Sequence, residues 1–100
     1  MEYLNLTIGD KSYTSNPIDF ETFMQLDDKL AVAREQNANY RRVFDDIVRY
    51  AFRAVLDKKQ FDSIEPKDRL KLGEQIYNLF NEFINSGKNE ERPPTEKTGV

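Results

Sequence analysis

The chain has 100 residues, a net charge of −3, 38% hydrophobic and 33% charged residues, and neither cysteine nor histidine. That length suits one domain with a modest core. The missing residue types exclude disulfides, thiolate nucleophiles, cysteine or histidine metal ligands and the usual general base near neutral pH. No apolar run approaches the roughly 20 residues of a membrane span. No charged-then-apolar leader opens the chain, so a cytoplasmic protein is expected.

Residues 3 to 8 alternate, with Leu4, Leu6 and Ile8 on one face and Tyr3, Asn5 and Thr7 on the other, the pattern of a half-buried strand. Gly9-Asp10 suits a type II′ turn, because glycine takes the positive φ at its first central position. A two-residue loop sets Leu6 opposite Tyr13 and Thr7 opposite Ser12, apolar against apolar and hydroxyl against hydroxyl. Such a hairpin is marginal alone, so its Leu4, Leu6, Ile8 and Tyr13 face is expected to lie on helices. Pro17 forces an extended approach, Asp19 suits a helix N-cap, and Ile18 stands where a staple to Phe23 needs it. The first helix is predicted from about Phe20 to Arg34 or Gln36. Asp27 and Arg34 project into its apolar arc of Phe20, Phe23, Leu26, Leu30 and Ala31, so it either lies at an edge or rearranges in its second half.

Gln36-Asn37-Ala38-Asn39 has low helix preference and supplies Asn39 as a cap, so a break is predicted there. The central helix reads as Tyr40 to Leu56. At about 100° per residue, Tyr40, Phe44, Ile47, Val48, Ala51 and Val55 share one side. Val43, Tyr50, Phe52, Ala54 and Leu56 widen that arc to roughly two-thirds of the circumference, so the helix has neighbours on more than one side and forms the spine of the core. A third helix is predicted to start at Pro66, with Glu65 or Ser63 as cap and Gly87 as its C′ residue. Its apolar arc is Leu70, Leu72, Ile76, Tyr77, Leu79, Phe80, Phe83 and Ile84. Residues 88–100, charged and containing Pro93-Pro94, are expected to be a disordered tail. The fold class expected is mainly α (α+β). Residues 1–87 form a single small helical domain, an N-terminal β-hairpin packed on a three-helix core.

Asp27-Asp28 and Asp45-Asp46 are the paired carboxylates that could suggest acid-base or Mg²⁺ chemistry. Asp46 lies one turn from Arg42 and Asp45 one turn from Arg49, so these charges read as a solvated helix face rather than a cation site, which needs converging oxygens. Arg41, Arg42, Arg49 and Arg53 are four of the six bases between residues 40 and 59. Residues 40 to 59 hold six bases against three acids, whereas residues 1 to 39 hold seven acids against three bases. That face supports an alternative reading, a small regulatory nucleic-acid-binding or antitoxin-like protein, which the interleaved aspartates and the acidic chain disfavour. Gly9 belongs to a turn, no glycine-rich phosphate loop exists, and no serine has a base partner. No enzyme is expected, and no catalytic, cofactor-binding or metal-ligating residue. What remains is apolar excess, which either is all taken up by the core or in part forms a protein-binding or self-association surface.

Three stretches carry a resemblance: Leu4-Asn5-Leu6-Thr7-Ile8-Gly9-Asp10-Lys11-Ser12-Tyr13, Pro17-Ile18-Asp19-Phe20-Glu21-Thr22-Phe23, and the acidic-basic tail after Gly87. In layout and size the chain resembles the tail assembly chaperones of long-tailed, siphovirus-type phages and prophages of Gram-positive bacteria. The resemblance implies a non-enzymatic chaperone in the bacterial host cytoplasm. Such a protein coats the tape measure protein, keeps it soluble before tube polymerisation, and is absent from the mature virion. It also implies self-association into rings or spirals, and a longer frameshifted product whose junction falls near Gly87-Lys88-Asn89. The family motif transfers no binding residue. From the apolar faces, Phe20, Phe23, Leu26, Leu30 and Tyr77 are the partner-binding candidates.

Overall fold

The computed structural model describes residues 2–91. The order is β1 (Asn5–Ile8), β2 (Lys11–Thr14), α1 (Phe20–Gln36), α2 (Tyr40–Ala51), α3 (Lys58–Asp62) and α4 (Pro66–Glu91). The protein is mostly helical, with an N-terminal antiparallel hairpin and four helices among the described residues.

The hairpin has the expected register, Leu6 opposite Tyr13 and Thr7 opposite Ser12. Gly9 turns it with φ 65°, a conformation that glycine adopts without steric cost. Leu4 is buried, and Leu6, Ile8 and Tyr13 are half-buried against the helical core. Ser15, itself buried, closes the open end: its N–H donates to the Leu4 carbonyl at 2.9 Å, and its Oγ accepts from the Leu4 N–H at 2.8 Å.

Asp19 caps α1 in a reciprocal box with Thr22, and α1 runs unbroken to Gln36. Asn37 ends it at φ 55°, a left-handed position that asparagine tolerates better than most residues. Asn39 then caps α2. Of the two fates foreseen for α1, the edge position is the one observed, since Asp27 and Arg34 are both exposed. Helix α2 packs against α1 on one side and α4 on the other. Ile47, Val48 and Ala51 are fully buried there, with Leu26 from α1 and Ile76 from α4. Tyr40, read as a core residue, instead stands 38% exposed at the first turn of α2.

The central helix is shorter than predicted. It ends at Ala51, not Leu56, because a distant residue takes over its last hydrogen bonds. The Ala51 carbonyl accepts from the Asn16 N–H at 2.8 Å, and the Ala54 N–H donates to Asn16 Oδ1 at 3.2 Å. Val55 N–H, which would have continued the helix by reaching Ala51, bonds Phe52 instead at 3.0 Å. Burial survives the change, for Phe52 and Leu56 remain in the core. Helix α3, unforeseen in the sequence, follows at once. Asp57 and Gln60 cap it reciprocally, Gln60 N–H to Asp57 Oδ1 at 2.8 Å and Asp57 N–H to Gln60 Oε1 at 3.0 Å, and it buries Phe61. The three-helix core is thus α1, α2 and α4, with α3 added beneath.

Helix α4 begins at Pro66 as expected, since a first-turn position has no use for the missing N–H. Gly73 lies in its buried interior. A Cβ there would stand 2.5 Å from the Phe44 Cβ, so the missing side chain is what lets α4 approach α2 so closely. Gly87 does not end the helix, which runs through it to Glu91. Of the tail expected from residue 88, residues 92–100 lie outside the described residues. No helix among the described residues is long and apolar enough to cross a membrane.

Candidate interaction surface

The Asp19 cap fixes where α1 starts and thereby places Phe20 in its first turn. Its carboxylate is held below the ordinary aspartate range, chiefly by the Thr22 backbone N–H and then by the Thr22 hydroxyl, so the cap is ionised at neutral pH. Phe20 projects outward and is 60% exposed, the most exposed large apolar residue described. From α4, Phe83 meets it edge-on, with ring centroids 5.8 Å apart. Phe83 also stacks on Phe23 at 4.9 Å, and Phe23 leans on Phe80 at 6.0 Å. Four phenylalanines from two helices therefore make a ladder from the core outward. Phe80 and Phe23 are buried at its base, and Phe83 and Phe20 are open at its top. Met24, one turn after Phe20, and Ile84, beside Phe83, add an exposed apolar group on each helix.

The exposure has a geometric cause. Helix α2 has 12 residues and α4 has 26, so α2 is about 18 Å long and α4 about 39 Å, and the shorter helix cannot cover the longer one. Phe80 is the last residue of α4 described as buried, and 82 through 86 are all exposed.

The five predicted partner-binding residues separate. Phe20 lies on the surface and Phe23 forms its buried floor. Leu26 and Leu30 are in the core and unavailable to a partner in this fold, because the face of α1 that carries them is the one packed inward. Tyr77 is half-buried against Phe44, with centroids 5.6 Å apart, and belongs to the α2–α4 contact. Sequence reasoning missed Met24, and it placed Phe83 and Ile84 in the core arc. The signal for the latter two was their place in the last turns before Gly87, beyond the reach of a shorter neighbour.

The predicted arginine stripe also divides. Arg53 lies over Tyr50, its Cζ 4.0 Å from the ring centroid, and Nη1 donates to the Tyr50 carbonyl at 2.8 Å. Arg49 lies over Phe61 at 4.3 Å and pairs with Asp45 at 3.7 Å, the i,i+4 partner foreseen. Arg69 from α4 approaches the same carboxylate at 3.4 Å. Arg41 and Arg42 stay exposed. On α3, Lys58 bonds Asp62 at 2.8 Å and is the main reason that carboxyl's pKa is lowered. No group of three or more His, Cys, Asp or Glu placed to hold a metal ion occurs among the described residues.

No protein-family model matches the chain, and no curated protein or solved structure is significantly similar to it.

Proposed function

We propose that the chain is a non-enzymatic phage tail assembly chaperone, working in the host cytoplasm, that holds apolar helical segments of the tape measure protein on the Phe20, Met24, Phe83 and Ile84 face. The observation that carries this is the Phe20–Phe83 pair, two touching aromatic rings left 60% and 41% exposed on separate helices. Exposed apolar groups gathered in one place mark interaction sites more often than scattered ones do. An amphipathic helix laid into such a face buries its own apolar stripe. The likeness to tail assembly chaperones in the hairpin and the Pro17-to-Phe23 stretch supplies the partner's identity. On the same reading the chain self-associates into a ring or spiral and leaves before the virion is complete.

The test is co-expression of the full chain with a tape measure fragment carrying apolar heptads. Co-purification of a soluble complex, little affected by salt, is expected, because apolar burial releases no condensed counterions. A fragment that stays insoluble and uncaptured overturns the reading. The nucleic-acid alternative loses support from the arginine geometry, since Arg49 and Arg53 are already engaged with Phe61 and Tyr50.

A further inference from the structure

We infer that Arg41, Arg42 and Arg69 form a binding site for a phosphate monoester. These residues, from α2 and α4, line one surface concavity of about 340 Å³ together with Asn39 and Asp45. Arg41 and Arg42 make no ion pair among the described residues. Arg69 has only a loose one, and its Cζ lies 5.2 Å from the Phe61 ring centroid, farther than Arg49 at 4.3 Å. The Arg69 Nε stands 3.4 Å from Asp45 Oδ1, beyond good hydrogen-bond range, and that nitrogen is buried without a hydrogen-bond partner. Asp45 is itself shared, its other oxygen being 3.7 Å from Arg49 Nη2. Three arginines and one shared carboxylate leave the lining with an excess of two positive charges, in a chain whose net charge is −3.

A phosphate monoester carries about −1.5 to −2 charges at pH 7, which matches that excess. The planar forks of arginine suit its oxygens better than ammonium groups do. The argument rests on the side chains and not on the start of α2, whose Arg41 N–H already donates to Asn39 Oδ1 at 2.7 Å. Alongside lies a second concavity of about 390 Å³ that shares Asn39 and Arg42 and has Val32, Ala33 and Val43 as an apolar strip in its wall, with Lys29 and the carboxylates of Asp28 and Asp46 also in the lining. It gives the organic part of an ester an apolar surface to lie against. The site is separate from the Phe20–Phe83 face and stands or falls independently of the proposed chaperone role.

The experiment titrates the ¹⁵N-labelled full chain with inorganic phosphate and with phenyl phosphate at constant ionic strength, following the amides of residues 39 to 42 and the arginine Nε signals. Saturable shifts are expected at Arg42 and Arg69. Tighter binding of phenyl phosphate assigns the neighbouring concavity to the ester, and equal binding assigns the site to the free phosphoryl group. Arg41 and Arg42 are exposed, so an Arg41→Gln/Arg42→Gln variant keeps the fold and is expected to weaken binding about tenfold or more, as lost charge-assisted bonds do. Arg42→Lys, which keeps the charge and loses the fork, weakens it less. Asp45→Asn tightens it, and Arg53→Gln leaves it unchanged. Shifts that rise linearly without saturating, that persist in the double variant, or that methanesulfonate reproduces at equal concentration overturn the proposal.

Discussion

The two ends of α4 carry the same kind of apolar periodicity and meet opposite fates. Near its start, Leu72 and Ile76 are buried and Gly73 lies hard against Phe44, so helix and neighbour interlock. Near its other end, Phe83 and Ile84 continue the apolar pattern, Phe83 against Phe20 and Phe23, and both remain more than a third exposed. An apolar stripe thus predicts which face seeks cover. Whether cover exists is set by the length of what lies opposite. The first end is a stability element, and the second is surface available to a partner.

Substitutions break this comparison in graded ways. Ile76→Ala, or Ile47→Ala facing it across the core, is expected to cost about 2–5 kcal/mol in chemical denaturation, as core truncations do. Gly73→Ala comes next. The added methyl gains roughly 1 kcal/mol of helix propensity. It also meets the Phe44 Cβ at 2.5 Å and the Phe44 backbone at 3.1 Å, which cannot swing aside, so overpacking of about 1–3 kcal/mol prevails and the melting temperature falls. A melting temperature that rises would show that α2 and α4 have room to separate. Phe83→Ala loses two aromatic contacts, of about 1 kcal/mol each, and leaves the fold in place, while capture of the tape measure fragment is expected to drop sharply. If capture were untouched, the exposed end of α4 would not be the partner surface.

The smallest effect concerns the cap beneath Phe20. The Asp19 pKa is lowered in the fold, so its contribution is fully present above the unfolded value of about 3.9 and is lost as pH falls through the depressed folded value. Thermal melts of the wild type and of Asp19→Asn are therefore expected to differ at pH 7 and to converge in acid. A difference that widened as pH fell would contradict the assigned hydrogen bonds.

Legibility in the sequence followed the range of the interactions. Gly9-Asp10, Asp19, Asn39 and Pro66 act on their immediate neighbours, and the turn, the caps and the start of α4 stood where local chemistry put them. The Asp57 to Gln60 spacing was a local signal too, a reciprocal cap that sequence reasoning passed over. The end of α2 was not legible, because it depends on Asn16, far away along the chain. At the candidate surface, Phe20 was named as a candidate from the apolar arc of its helix, along with Leu26 and Leu30, which the same arc turned inward. The outward position of Phe83 and the meeting of Arg69 with Arg41 and Arg42 required the packing of α4 on α2.

Asn16 has a consequence for hydrogen exchange. The Ala54 residue is exposed and its amide lies beyond the helix, yet that amide is held by a side chain leaving the hairpin. Its exchange is therefore governed by hairpin undocking and not by fraying of α2. The protection factor of this one amide, read beside that of Val48 inside the helix, times how often the hairpin lifts from the core while the helices stay assembled.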